Sequence, residues 1–248
     1  MDTAEYRVGL LITAAGLSTR MGGTAKKEYL PIEDRPVFIH TLIPFLTTLS
    51  LEEVVITVPP GDEGDVKKML HTHLPESLSP LGSASSKGPI RLQPGGESRR
   101  ESVFLGLQAF TAAIDYVLIH DGARPRIQAE TIKEVLRDCI VHNASIPVIP
   151  VTDALKRIDL DGFIEEHLSR SKTMGAQTPQ AFAFPAILDA HRQAACDGSL
   201  YVDDSEIYSR YAGPVHTVPG DPDNIKITFP GDLQKLHKKQ KLHEGLEK

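Results

Sequence analysis

Short apolar runs alternate with stretches of helical spacing along most of the chain. The runs at 8–12, 54–58, 90–93, 116–120 and 145–151 end at Gly, Pro or polar residues, which predicts buried β-strands. Apolar side chains recur at mostly helical spacing in 37–46, 65–71, 102–113, 128–141 and 184–196, with a further strand at 214–218 and a basic helix at 231–245. This alternation predicts an α/β fold with a mainly parallel sheet covered by helices on both faces.

Two segments interrupt the alternation. Residues 152–178 are polar, mixed in charge and weakly periodic, which predicts an extended arm inserted in the domain. Residues 82–88 are rich in Ser and Gly and predict a surface loop, because the strand–helix alternation resumes after them. We therefore expect one domain over residues 1–248.

Four polar, charged or glycine-rich segments each follow a predicted strand. They are residues 13–27, 94–102, 120–125 and 152–157. Ligands of open α/β sheets bind at the carboxyl ends of the strands. We expect one site built from all four segments.

Composition removes several classes of function. The net charge is −6 over 248 residues, which argues against a general nucleic-acid binder but not against a locally basic site for a small anion. Apolar runs of about 18 residues are absent, so we expect no membrane span. The two cysteines do not form a disulfide framework, and no signal peptide precedes the first strand, so we expect a cytoplasmic protein.

The segment after the first strand has the composition of a phosphate-binding loop. Small residues at 13–16 allow backbone N–H groups to approach phosphate oxygens. Neither of the usual P-loop and dinucleotide glycine patterns is present, which disfavours those two classes. Arg20 and Lys27 suit a reaction that develops negative charge on a phosphorus centre and its leaving group. Taken alone, the segment also fits a glycine-rich turn with two solvated cations.

Four later motifs narrow this choice. GGESRRESV at 95–103, HDGARP at 120–125, AQTPQAF at 176–182 and DNIKIT at 223–228 follow the first loop in order. With them the chain, from about residue 8 to 233, resembles the 2-C-methyl-D-erythritol 4-phosphate cytidylyltransferase family. The resemblance implies a Rossmann-like nucleotidyltransferase domain that transfers CMP from CTP to a sugar-alcohol phosphate in non-mevalonate isoprenoid biosynthesis. It also implies Mg²⁺ and a homodimer formed through the 152–178 arms.

The resemblance also implies a role for each matching position. The catalytic residues would be Arg20, Lys27, Arg170 and Lys226, and the nucleotide-binding residues Ala14, Ala15, Gly16, Gly96, Glu97, Ser102 and Gly122. The acceptor substrate would contact Arg170, Thr178, Asp203 and Lys226, and the metal Asp121 and Asp223. From the residues alone, Ser102 also fits a helix cap and Asp121 a turn before Gly122. His120 is interpreted as a packed strand-end residue, and Arg124 as a loop-ordering or nucleotide-contacting one.

Five positions depart from the family pattern, of which Glu97 in place of Asp and Gly122 in place of Ala are mild changes. Lys26 replaces the usual Pro, Ala154 replaces a Thr that helps to hold the acceptor phosphate, and Asp203 stands where Thr is common. The last two changes fall in the acceptor half, so a pentitol-phosphate cytidylyltransferase, for example for ribitol 5-phosphate, is the alternative. A non-catalytic nucleotide-binding homologue is a third hypothesis, against which the retained cations and Asp121 argue.

Overall fold

The computed structural model describes residues 5–16, 26–75, 78 and 88–233. Arg20, residues 82–87 and the part of the predicted C-terminal helix after residue 233 lie outside the described residues. Within the described part, no helix is both long enough and apolar enough to cross a membrane.

One large sheet organises the fold. Its strands are β1 (Val8–Thr13), β4 (Glu53–Val58), β5 (Ile90–Pro94), β6 (Tyr116–Asp121), β7 (Ala144–Pro150), β10 (Met174–Ala176), β11 (Gln180–Ala183) and β12 (His216–Pro219). Two short hairpins lie outside it: β2 (Pro31–Ile32) with β3 (Arg35–Pro36), and β8 (Lys156–Ile158) with β9 (Ile164–His167). All five strands predicted in the first 151 residues are present.

The centre of the sheet is parallel. Strand β1 pairs in parallel with β4 and β6, and β5 continues the parallel order beyond β4. Strand β11 runs antiparallel between β6 and β7, and β12 pairs in parallel with β7. The mainly parallel α/β sheet predicted from the sequence is confirmed, and β1, β4, β5 and β6 all end at one edge.

Helices cover both faces of this sheet. They are α1 (Val37–Thr48), α2 (Glu63–His73), α3 (Arg99–Gln108), α4 (Ala129–His142), α5 (Phe184–Cys196) and α6 (Asp204–Tyr211). Along β1, Leu10 and Ile12 pack into one buried cluster with α1 and α4, whereas Leu11 packs into the other with α3 and α5. A strand buried on both faces reads as a continuous apolar run, because alternate side chains enter opposite cores.

Two helix predictions need correction. Helix α3 begins at Arg99 and not at 102, because Ser98 is its N-cap and accepts a hydrogen bond from the Glu101 N–H at 3.1 Å. Helix α6 was not predicted; Asp203 caps it by accepting from the Glu206 N–H at 3.0 Å.

The arm is shorter than predicted. Residues 156–167 form the β8–β9 hairpin, in which every residue is exposed. The chain then returns to the main sheet, since β10 pairs with β7 from residue 174. Residues 177 and 178 are already buried, so the exposed arm ends before the predicted boundary at 178.

Candidate active site

A cavity of about 310 Å³ opens at the edge where the parallel strands end. Its lining comes from three loops after strands and from a late segment: Thr13, Ala15, Gly16, Lys27, Glu28, Gly96, Glu97, Ser98, Arg99, Ser102, Asp121, Ala123, Lys226 and Thr228. The segments after β1, β5 and β6 therefore converge as predicted. None of the described lining residues comes from 152–157; residues 226–228 take that place.

Small residues allow the loops after β1 and β5 to touch. A Cβ on Gly95 would collide with the Ala15 side chain and lie 2.8 Å from Ser102 Oγ. Ser102 Oγ in turn accepts from the Gly96 N–H at 3.1 Å and donates to the Ser98 carbonyl at 2.9 Å. Ser102 thus fixes the Gly96 turn from the first turns of α3, and only 4% of it is exposed.

Two predicted nucleotide contacts are not supported by their placement. The Ala14 N–H donates to the Thr57 carbonyl and the Gly122 N–H to the Thr13 carbonyl, each at 2.9 Å. These bonds join the ends of β1, β4 and β6. Neither Ala14 nor Gly122 is among the described residues that line the cavity, so both hold the edge in shape.

The adjacent lysines point to different partners. Lys27 lines the cavity, and its Nζ lies 3.9 Å from Oε1 of the buried Glu28. Lys26 instead pairs with Asp62 just before α2, and its Nζ lies 5.7 Å from the centre of the Tyr29 ring. Its ammonium holds the pKa of Asp62 below the usual range. The structure therefore favours Lys27 as the inward cation, and Lys26 stabilises the chain on its other side.

Asp121 is the centre of the charged cluster. Its Oδ2 lies 2.9 Å from Lys226 Nζ and 3.1 Å from Arg124 Nε, and its Oδ1 lies 3.7 Å from Arg99 Nε. Burial alone would raise the pKa of this carboxyl, but the neighbouring cations, Lys226 foremost, hold it far below its usual range. A buried carboxylate with three cations around it remains ionised.

Arg124 orders the late segment that carries Lys226. It is 9% exposed, and one guanidinium nitrogen donates to the Asn224 carbonyl at 2.7 Å. The Ile227 N–H donates to the Ala123 carbonyl at 2.9 Å, which holds residue 226 beside the end of β6. Of the two roles considered for Arg124, the geometry supports loop ordering.

Thr178 and His120 form a buried layer behind Asp121. The Asp121 N–H donates to Thr178 Oγ1 at 3.1 Å, and that hydroxyl lies 2.9 Å from His120 Nδ1. Burial lowers the pKa of His120 to about 3, so the ring is neutral at physiological pH. His120 is a packed strand-end residue, as predicted. The hydroxyl of Thr178 is committed to these two partners and lies outside the cavity lining of the described chain.

Arg99 is a site residue that the sequence analysis did not single out. It lines the cavity, and its guanidinium lies 2.8 Å from Oδ2 of the fully buried Asp204. Asp204 Oδ1 lies 3.3 Å from Nε2 of the equally buried His191. The signal for Arg99 was its position in the first turn of α3 after a glycine pair, but its partner Asp204 is 105 residues away.

The remaining predicted residues do not line the cavity in this chain. Arg170 is exposed on the arm and donates to the Thr152 carbonyl at 3.0 Å, and Ala154 is exposed nearby. Asp203 caps α6, and Asp223 is half-buried in the 221–224 turn. None of the four is among the lining residues that the structure describes.

Comparison with known proteins matches the chain to one enzyme family. The family model described as 2-C-methyl-D-erythritol 4-phosphate cytidylyltransferase matches residues 8–237. A protein of that name from Symbiobacterium thermophilum is 34% identical over 93% of this chain and 91% of its own length. A bifunctional enzyme IspD/IspF from Rhizobium leguminosarum is 39% identical over 91% of this chain and 54% of its own.

Solved structures agree with this match. The crystal structure of 4-diphosphocytidyl-2C-methyl-D-erythritol synthase from Anaerococcus prevotii superposes with a TM-score of 0.81 at 25% identity, covering 96% of this chain and 97% of that one. A 2-C-methyl-D-erythritol 4-phosphate cytidylyltransferase from Thermus thermophilus gives 0.72 at 29% identity, over 94% and 98% of the two chains. The chain belongs to the 2-C-methyl-D-erythritol 4-phosphate cytidylyltransferase family.

Proposed function

We propose that this protein transfers CMP from CTP to 2-C-methyl-D-erythritol 4-phosphate and releases pyrophosphate, in non-mevalonate isoprenoid precursor biosynthesis. The observation that carries the proposal is the cavity itself, where Lys27, Arg99 and Lys226 line the same pocket as Asp121 at the carboxyl edge of a parallel sheet. Three cations in one small cavity favour a polyanionic ligand. Membership of the family makes CTP and the methylerythritol phosphate the substrates of choice.

The reaction needs electrostatic stabilisation more than proton transfer. An oxygen of the acceptor phosphate forms a bond to the α-phosphorus of CTP, the bond from that phosphorus to the bridging oxygen breaks, and pyrophosphate leaves. The attacking oxygen is already ionised, so no general base is required. This agrees with the placement of His120, the residue immediately before Asp121 in the sequence. Its imidazole is buried and neutral.

Each cation has a place in this scheme. Lys27, with Arg20, which lies outside the described residues, would stabilise the charge on the α-phosphorus and the departing pyrophosphate. Lys226 would orient the acceptor phosphate, since Asp121 and the 224–227 backbone fix its position. Arg99 adds a third cation, whose direction is set by Asp204.

The donor set of the cavity fits Mg²⁺ held largely by the substrate. Asp121 supplies an ionised carboxylate, and among the described residues the cation nearest to its Oδ1 is Arg99, with Nε at 3.7 Å. Mg²⁺ is commonly bound by one or two carboxylates together with substrate phosphates. When bound, Mg²⁺ would neutralise triphosphate charge and polarise the reacting phosphate. Asp223 stays a prediction as the second ligand.

The exposed arm supports a homodimer as part of the proposal. Apolar side chains on a free two-stranded hairpin are costly to leave in water, and Ile158, Leu160, Phe163 and Ile164 are all largely exposed there. An arm packed on a second copy would cover them. It would also carry Arg170 and the Ala154 position toward the partner's cavity. Cytoplasmic location stays a prediction.

An acceptor assay tests the proposal. The protein is mixed with CTP and Mg²⁺, each acceptor is added separately, and pyrophosphate release is measured together with the ³¹P spectrum of the product. We expect release with 2-C-methyl-D-erythritol 4-phosphate and only background with ribitol 5-phosphate. Release with ribitol 5-phosphate alone would overturn the acceptor. Silence with both acceptors, although CTP binds, would identify a non-catalytic homologue. Preparations of Lys27→Ala control for contaminating enzyme.

A further inference from the structure

Two histidines and a carboxylate converge outside the catalytic cavity. Asp138 and His142 lie one turn apart near the end of α4, and His216 is the first residue of β12. One ligand atom from each of the three lies within 4.8 Å of those of the other two. None of these residues lines the catalytic cavity described above.

The three side chains lie close together, but only His216 and Asp138 are within hydrogen-bonding distance. His216 Nδ1 lies 2.8 Å from Asp138 Oδ2, and His142 Nε2 lies 3.7 Å from Asp138 Oδ1. The two imidazole rings stack with centroids 4.0 Å apart and planes 21° from parallel. Each imidazole can offer a ring nitrogen, and Asp138 a carboxylate oxygen, to one shared ion.

The chemistry of these ligands selects the class of ion. Two imidazoles and one carboxylate suit Zn²⁺ and neighbouring transition metals, whereas Mg²⁺ and Ca²⁺ prefer oxygen ligands alone. Three protein ligands leave a fourth position for water in a tetrahedral site. The side chains of His142 and His216 are 43% and 51% exposed, so their rings can turn in toward a common ion and water can complete the shell.

We propose that Asp138, His142 and His216 form a transition-metal site of the Zn²⁺ class that joins α4 to β12. Strand β12 pairs with β7 alone among the described strands, so it is an edge strand held from one side. A metal bridge at its first residue would hold that edge against α4. Strand β12 leads directly into residues 220–228, which include Lys226. The metal bridge would therefore anchor the strand from which this segment begins.

Zinc titration of histidine variants tests the site. The whole protein is titrated with Zn²⁺ by calorimetry in excess Mg²⁺, which occupies oxygen-rich sites. His142→Ala and His216→Ala are the test variants. His71→Ala is the matched control, because His71 is likewise an exposed histidine in the last turn of a helix. All three positions are exposed or nearly so, and we expect every variant to fold.

The expected result separates this site from any other. Wild type and His71→Ala bind one Zn²⁺ per chain, and each test variant binds at least about tenfold more weakly. Zn²⁺ at about 100 times the wild-type Kd raises the Tm of wild type by several degrees and that of the test variants by about half as much or less. With Cu²⁺, electron paramagnetic resonance shows two coupled nitrogens in wild type and one in either variant. Absence of Zn²⁺ binding to wild type, or equal affinity in the test variants, would overturn the proposal.

Discussion

The cavity edge buries charged side chains, whereas the arm hairpin exposes apolar ones. At the cavity, charged groups are buried and satisfied: Asp121 is 5% exposed and contacts three cations. On the hairpin, apolar groups are exposed: Phe163 is 73% exposed, on a segment where no residue is buried. Burying a charged group costs free energy even when the group has partners. Buried charges are therefore retained where a functional site requires them. Exposure of large apolar side chains indicates a surface that another molecule covers.

The contrast separates two kinds of contribution to activity. The cavity is organised within one chain, so substitutions there should change chemistry whatever the state of assembly. The arm has little support from its own chain, so substitutions there should change assembly first. The following predictions test this division in order of decreasing effect.

The largest effect on turnover should come from Lys27, for which the neighbouring Lys26 serves as the control. Lys27→Ala removes a cation that lines the cavity, and we expect kcat to fall roughly 100- to 1,000-fold with the fold intact by circular dichroism. Lys26→Ala is the matched control, because it removes the same charge one residue earlier from a partly exposed ion pair with Asp62. Such a pair contributes about 1 kcal/mol or less, so turnover should fall less than about fivefold. Equal losses in the two variants would refute the assignment.

The next effect concerns the metal. Asp121→Asn keeps the shape of the side chain but removes its charge, and we expect kcat/KM to fall roughly 100-fold and the Mg²⁺ requirement to rise. The measurement is initial rate against Mg²⁺ concentration. Asp223→Asn is the comparison, because Asp223 is not among the described lining residues of the cavity. An unchanged Mg²⁺ curve in Asp121→Asn, or a larger shift in Asp223→Asn, would transfer the metal role away from Asp121.

These predictions show what the sequence could and could not supply. Short apolar runs and loop chemistry identified β1, β5 and β6 and the segments after them, because strand ends and glycine turns are local features. The partnership of Arg99 with Asp204 joins α3 to α6 across 105 residues, and no local pattern encodes it. Thr178 was assigned to the acceptor by motif alone, whereas in the fold its hydroxyl serves Asp121 and His120.

The missed parts of the fold have the same origin. Helix α6 is only 8 residues long, and its cap Asp203 was considered as a phosphate neighbour, not as a helix start. The end of the arm was placed at 178 because residues 152–178 as a whole are polar, mixed in charge and weakly periodic. Strand β10 there gains its order from pairing with β7, which is a tertiary contact.

A moderate effect should appear on assembly. Phe163→Asp places a charge in the exposed apolar surface of the hairpin, and we expect dimerisation to weaken by about 30-fold or more, as for an interface residue that contributes about 2 kcal/mol. Sedimentation velocity measures the change. The Tm of the isolated subunit should change little, because the residue is 73% exposed and has little packing within its own chain to lose. A dimer of wild-type stability would exclude this hairpin face from the interface.

The smallest effect should come from Ala154→Thr. This change restores the hydroxyl that the family pattern has at an exposed position of the arm. One hydrogen bond contributes about 0.5–1.5 kcal/mol, so we expect the KM for the acceptor to fall by roughly two- to tenfold while the KM for CTP stays constant. Steady-state kinetics with each substrate varied in turn gives both values. A change confined to CTP would show that the arm contacts the nucleotide and not the acceptor.

Complementation between two inactive variants tests the central claim, that the cavity of one chain works with the arm of another. Lys27→Ala has an intact arm, and Arg170→Ala has an intact cavity; each is expected to be inactive alone. After equal amounts are mixed and exchanged, with mixed dimers verified by native mass spectrometry, half of the dimers are mixed and each has one complete site. We predict recovery of about a quarter of wild-type activity. No recovery in a sample that contains mixed dimers would contradict the account.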